Sequence, residues 1–414
     1  MAFFIEVIMA FTGATAGLAA GAQTNDTRVD FALEATYGTP PTGNYQALRI
    51  TGETLSRSQT TARPEEINSV KEVSQSVVTQ VQASGTISGA LSSGTFDALL
   101  AGVLGADIIP MTTQTSGTTF FTITGSTLTI SGTGTSAWMA TFVANAGTIV
   151  INSPSNNLNN AIFAFSSKNN TAGTFSLIAG PSVTGTVKSA NGDTISVGGC
   201  LNGNLDKTFT FRKKLLGQFL LYPGSLVTQM QIQFQQAQFD TVSVDITSAD
   251  EVLSATDVST AVLPAPSGKV HNSVNDFLGC TINGNKPAGC VTQFTCTLAR
   301  NGAANDYGMG HASACGVRTG QFMASGSIEF YFRSWDEYND ALNGTQGEII
   351  VQTVDDSGNG YAFIFLNAAL RNAKVTTTQT NQTVKVSFDI EGNPTASGGT
   401  FAIVPLSGVP ATGS

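Results

Sequence analysis

The amino-acid sequence predicts a mainly β protein: two tandem β-sandwich or barrel units, each with a short helix, and a small all-β domain inserted into the first. Three observations carry that expectation. Charged residues make up only 11% of the 414 positions while glycine alone counts 44, and the other polar positions are mostly Ser, Thr, Asn and Gln, a composition suited to strands and turns. Long runs alternate apolar with small or polar residues at the period of two that strand side chains follow. Finally, Ala83-Ser84-Gly85-Thr86-Ile87 is echoed by Ala324-Ser325-Gly326-Ser327-Ile328, with "TLSR" (Thr54 to Arg57) ahead of the first copy and "TLAR" (Thr297 to Arg300) ahead of the second.

Residues 1–30 read as an N-terminal arm. The opening "MAFFIEVIMAFTGATAGLAAGAQ" is apolar, but it carries Glu6 and has no Lys or Arg before Arg28, so it lacks the basic start of a secretory signal; Met9 as the biological start, or an ordered arm, is the expectation. The first unit is expected over 31–107 and 205–250. Within it Thr79, Val81, Ala83, Gly85, Ile87, Gly89 and Leu91 fall on one face of a long strand. The period then changes: Phe96, Leu99, Leu100, Val103 and Leu104 have helical spacing, with Ser93 or Thr95 as cap and Gly105 as terminator.

Residues 108–204 contain only three charged side chains, Lys168, Lys188 and Asp193, and words such as "TLTIS" and "TIVIN" between Gly, Asn and Pro turns, the pattern of an inserted β domain. Residues 251–277, with "LPAPSGK", read as a linker. The second unit is expected over 278–392, where Phe322, Ala324, Gly326, Ile328, Phe330 and Phe332 alternate and "SWDEYNDALNG" follows as a helix with Trp335, Tyr338 and Leu342 on one face. "KTFTF" (207–211) matches "YAFIF" (361–365), and "TVSVDIT" (241–247) matches "VKVSFDIE" (384–391), which makes an internal duplication the simplest account of the echo. Residues 393–414 read as a polar C-terminal tail.

The sequence carries little catalytic or ligand-binding chemistry. The net charge of −9 leaves no phosphate-neutralising surface, and Arg212-Lys213-Lys214 reads as a solvated strand end. Two histidines, His271 and His311, cannot supply a His-rich metal site or a Ser-His-Asp arrangement, and the common nucleophile, zinc and phosphate-loop motifs are missing. Asp355, Ser357, Asn359 and Gly360 have the opening spacing of a calcium loop, but Leu366 stands where the closing carboxylate belongs, so a hairpin turn is expected. Asp240, Asp245 and Asp389 are expected to face outward. Five cysteines at irregular spacing, with no C-x-x-C, read as free thiols. No catalytic, cofactor or metal residue emerges.

"YGTPPTGNYQALRITGETLSRSQTTARPEEINSVKEV" (37–73), followed by "VQASGTISGALSSGTFDALLAGVLG", resembles the N-terminal region of the tail tube (major tail) proteins of long-tailed bacteriophages; "GSIEFYFRSWDEYNDALNG" and "VKVSFDIEG" fit as well. The resemblance implies tail-tube-like units whose strands form a β-barrel around a lumen, and a virion protein, assembled in the host cytoplasm, whose stacked rings carry phage DNA during ejection. With two units per chain it implies trimeric, pseudo-hexameric rings. It also implies tape-measure, baseplate-initiator and tail-terminator partners, DNA passage without sequence-specific binding, and no cofactor. By the same resemblance, loops at 56–76 (Arg63, Glu65, Glu66, Lys71, Glu72) and 299–320 (Arg300, Asp306, His311, Arg318) would touch neighbouring rings. A second reading is a secreted or surface β-rich adhesin or receptor-binding protein, which requires signal cleavage near Ala22 and disulfides.

Overall fold

The computed structural model describes residues 22–408 apart from 68, 71, 116–119, 133, 143 and 378–379. Strands dominate it. The first five are β1 (Arg28–Leu33), β2 (Asn44–Ala47), β3 (Gly52–Glu53), β4 (Ser56–Ala62) and β5 (Val77–Ala90), and helix α1 (Asp97–Leu104) follows. Along β5 the alternation holds from Val81 onward: Val81, Ala83, Ile87 and Gly89 are buried, whereas Val77 to Thr79 extend into solvent. Gly105 ends α1 in the left-handed conformation at φ 64°, where a β-carbon is disfavoured. Neither expected cap bonds the helix; Ser92 and Thr95 instead hydrogen-bond to each other at 2.6 Å.

The inserted segment contains β6 (Ile109–Thr115), β7 (Phe121–Thr124), β8 (Thr127–Ile130), α2 (Thr135–Thr141), β9 (Gly147–Ser153), β10 (Leu158–Asn169), β11 (Thr174–Ala179), β12 (Thr186–Lys188) and β13 (Thr194–Leu201). These close around their own apolar cluster, with Phe165 edge-on to Phe142 at 5.7 Å and to Phe175 at 4.8 Å. Lys168 is spent inside it, donating to the carbonyls of Met139 (2.6 Å) and Phe142 at the end of α2, where a cation offsets the helix dipole.

The chain returns through β14 (Phe209–Leu215), β15 (Gln218–Gln235), β16 (Thr241–Ser248), β17 (Val252–Ser254) and β18 (Ala261–Leu263). The remainder is β19 (Phe277–Ile282), β20 (Val291–Asn301), β21 (Ala304–Asp306), β22 (Gly316–Arg318), β23 (Gln321–Tyr331), α3 (Asp336–Asn343), β24 (Gln346–Val354), β25 (Gly360–Thr376), β26 (Lys385–Gly392) and β27 (Phe401–Leu406). A continuous antiparallel path crosses eight of them in the order β4, β5, β16, β15, β20, β23, β26, β25. Its inner face meets one core in which residues from both halves interleave; Phe234 lies 5.8 Å from Phe294 and 6.0 Å from Phe363. The hairpin expected at 355–360 forms, with Asp355 accepting the backbone N–H groups of Ser357 and Asn359 at 2.9 Å.

Several expectations are corrected. Residues 1–21, with Glu6 and Met9, lie outside the described residues, and the chain is already strand at Arg28, within the expected arm. Residues 251–277 are not a free linker: β17 pairs with β15, β18 runs parallel to β2, Val270 bridges Ser92, and Arg49 donates to the Gly268 carbonyl at 2.5 Å. Nor is 393–408 a loose tail, because the apolar run "FAIVPL" forms β27 between β25 and β13, buried on both faces. Residues 409–414 lie outside the described residues.

Arg212 explains why the 251–263 segment folds in. It is fully buried rather than solvated, donates to Asp30 at 2.7 Å, to Ser259 at 2.8 Å and to Asp257, and lies over the rings of Tyr45 (4.6 Å) and Phe219 (5.1 Å). A buried guanidinium is tolerable only when charge and hydrogen bonds surround it. Arg212→Ala leaves Asp30, itself buried, with only the half-exposed Arg28 as partner. That variant should lose roughly 3–5 kcal/mol in urea denaturation, with little recovery in Arg212→Lys, which lacks the planar fork.

Candidate assembly surface

Two surfaces stand out. The first is formed by the loops at 56–76 and 299–320. Arg63 donates to the Ser74 carbonyl at 2.8 Å, and Glu65, Glu66 and Glu72 are exposed; Lys71 lies outside the described residues. In the second loop β21 and β22 form a small ribbon tied by Asp306 and Arg318 at 2.9 Å, both exposed, with His311 exposed at its turn. β5 brings the two together: the Val81 N–H donates to the Ala312 carbonyl at 2.8 Å and the Tyr307 hydroxyl to the Val81 carbonyl at 3.2 Å. Exposed on or beside these loops are Ile67, Val73, Val77 and Met309, apolar side chains that a reading of the charged residues does not find.

Arg300 does not belong to this surface. It is buried, its Nε donates to the Val103 carbonyl at 2.7 Å, and it closes the C-terminal end of α1, where a cation is favoured. Burial lowers its pKa, opposed by Asp206.

The second surface is the eight-strand path itself, with an open edge at each end. All seven residues of β4 are exposed. At the far end, the Leu370–Thr376 part of β25 pairs only with β26 in the described structure. The face turned away from the core is polar: Ser88, Ser243, Gln231, Thr297, Ser325 and Glu391 stand in one cross-strand row. Two bases on it are held by neighbouring carboxylates, Arg371 by Glu391 at 2.9 Å and Lys385 by Glu329 at 2.8 Å. Asp245 and Asp389 lie on this face as expected, accepting from Thr86 at 2.6 Å and Asn372 at 2.7 Å.

Asp240, expected to face outward, is fully buried with neither carboxylate oxygen hydrogen-bonded, and its backbone N–H donates to the carbonyl of buried His271. His271 Nδ1 is 2.8 Å from Thr353 Oγ1, and burial holds its pKa below the ordinary value. Among the described residues no cluster of His, Cys, Asp and Glu could hold a metal ion. All five cysteines are unpaired, and burial pushes the Cys200 and Cys280 thiols up to about 12.

Two open sheet edges and exposed apolar loop residues are features of a protein built to pair with further strands. Residues 24–392 match the phage tail tube protein family, and the chain belongs to that family. It is a structural component of the virion tail that polymerises with itself, not an enzyme. No curated protein sequence matches it.

Burial, then the nearby charge of Asp276, pushes Asp240 from 3.8 up to about 7. Between those values the folded chain holds a proton that the unfolded chain has released, so this residue's contribution to stability is greatest near pH 4 and falls as pH rises to about 7. Asp240→Asn should therefore be more stable than the parent at pH 8, by up to about 4 kcal/mol, with the difference vanishing toward pH 4 in urea titrations of the dissociated subunit.

Proposed function

We propose that three copies of this chain close into a pseudo-hexameric ring and that stacked rings form the conduit through which phage DNA passes during ejection. The reading rests on one observation: the in-chain pair between β15 and β20. The elements β4, β5, α1, β14, β15, β16 and β20, β23, α3, β24, β25, β26 run in the same order with the same neighbours. Even the register agrees, since Thr86 opposes Asp245 as Ser327 opposes Asp389. This supports a duplication in which 31–107 with 205–250, and 278–392, are equivalent units and 108–204 is an insertion. β15 joins the first unit to the second through β20; by that equivalence β25 joins the second unit to β4 of the next chain. Pairing both open edges removes the hazard that exposed strands present.

The polar face then lines the lumen. Ser, Thr and Gln, with Asp245, Glu329, Asp389 and Glu391, offer few free cations to a phosphate backbone, so DNA slides instead of binding. The loop tips bearing Arg63, Glu65, Glu66 and Glu72, beside Asp306, His311 and Arg318, face the next ring, where Ile67, Val73 and Met309 lose their exposure. By family analogy a tape-measure protein occupies the lumen during assembly, and baseplate-initiator and tail-terminator proteins meet the two ends. Electron microscopy of the purified protein tests the ring. Axial class averages with three-fold symmetry and six similar lobes are expected; rings of six chains, or compact monomers at every concentration, overturn it.

A further inference from the structure

Helices α1 and α3 occupy the same place in the two runs of elements, yet their surroundings differ. In α1 every residue from Leu99 to Leu104 is buried. Its ends are held by the second half of the chain: Tyr361 of β25 donates to Asp97 in the first turn, and Arg300 of β20 donates to the Val103 carbonyl at 2.7 Å in the last. In α3 no residue is fully buried: Tyr338 and Ala341 are partly buried against the main core, Asn283 donates to Asp340 at 3.0 Å, and the last turn is closed by the backbone N–H groups of Gly344 and Thr345 with Arg371 beside Gly344. Its apolar side is an aromatic ladder: Trp335 lies edge-on to Phe332 at 4.8 Å and to Tyr338 at 5.1 Å. Trp335 remains 57% exposed and Leu342 69%. Tyr338 and Ala341 turn one side of the helix to the main core, and a Trp and a Leu left this exposed beside them mark a surface awaiting a partner.

We infer that α3 is the seat of a second copy of this chain: the first unit of the next subunit covers Trp335, Tyr338 and Leu342 as the second unit covers α1 within the chain. This rests on the ring reading above. Strand register identifies the contact. Arg300 stands opposite Phe322 on β23, and Gln59 stands opposite Val81 at the corresponding place on β5. Gln59 of the incoming β4 therefore approaches the α3 C-terminal end as Arg300 approaches that of α1, with Arg57 two residues before it on the same face of the strand. α3 carries Asp336, Glu337 and Asp340 and no base, and the strand that approaches it carries Arg57, which within its own chain is paired with Asp250 at 2.9 Å.

Two readouts test the inference in the full chain. With Trp138→Phe, Trp335 is the single tryptophan. Its acrylamide quenching constant should fall at least threefold, with a blue shift, when dilute subunits are concentrated into rings. In a Cys290→Ser, Cys315→Ser background, mixing a Gln59→Cys chain with a Leu342→Cys chain should give covalent dimers under mild oxidation, and one chain carrying both cysteines should give a ladder ending at three. Leu342→Lys, at an exposed position, should keep the parent's urea midpoint yet raise the concentration for half assembly at least tenfold. Rings that form while Trp335 stays as accessible as in the monomer, with no Gln59–Leu342 cross-link, overturn this inference and leave the ring standing. Absence of three-chain rings under every condition overturns both.

Discussion

The structure depends on the strand pair between β15 and β20. Gln229 to Gln235 pair with Gln293 to Ala299 over the full shared length, and through this pair eight strands become one antiparallel surface. β15 is long enough to do two things: its first half pairs with β14 and β17, its second half with β16 and β20. The bend between them coincides with a register shift between Val227 and Gln229. One strand thus links an outer hairpin layer to the inner sheet. The apolar core lies between, with Phe211 and Tyr222 from one layer and Met230 and Ile232 from the other. β25 makes the same turn near Arg371, where its pairing with β26 also slips.

A sheet of this kind needs its closing segments pinned, and the pins are polar. Arg212 holds the 251–263 segment, Glu34 receives the hydroxyls of Thr208 and Thr210 and the N–H of Gly224, and Asn202 receives the N–H groups of Thr400 and Phe401 at the entry to β27. Glu34 and Asn202, both half-buried, are each matched by several donors, the condition under which polar groups add order without large cost. Asp240, fully buried, has no hydrogen bond to either carboxylate oxygen. An unpaired carboxyl there raises its pKa and makes a structural position sensitive to pH.

What the sequence made legible is what short-range rules determine. The face of β5, the helix from Asp97 to Leu104 and its stop at Gly105 follow from periodicity and glycine, and the two "ASG" words lie in strands that each pair antiparallel with a later strand, β5 with β16 and β23 with β26. Contacts between distant segments were not legible. Nothing near Arg212 reveals that Asp30 and Asp257 surround it, and nothing near Arg300 reveals the end of α1. β27 was hidden because its six apolar residues follow a Gly-rich turn and look like the end of a tail. "KTFTF" runs into β14 and "YAFIF" lies in β25, strands with different partners: β14 pairs with β1 and β15, β25 with β24, β26 and β27. Amphipathic strands resemble one another, so local matching cannot distinguish neighbours. Arg57 and Arg300 are likewise two residues apart in register, opposite Ala83 and Phe322.

The insertion can be placed by following apolar layers outward. The strands β24, β25 and β27 are apolar on both faces: Ile349, Phe363 and Ile403 meet the main core, while Ile350, Ile364 and Val404 meet Val150, Ile162 and Ala164 of the inserted domain. The polar face of the eight strands is therefore separated from the insertion by the main core, the three-strand layer and a second apolar seam. If that polar face surrounds a lumen, the insertion is held on the outside of the tube, and its low charge is exposed to the medium instead of to DNA. Its attachment is firm as well as remote, because β13 pairs with β27 through Cys200 and Leu201 and extends the layer on which the insertion rests. Residues 109–201 are thus clamped onto β24, β25 and β27, and this second apolar seam reinforces the layer behind the joint that β15 and β20 make.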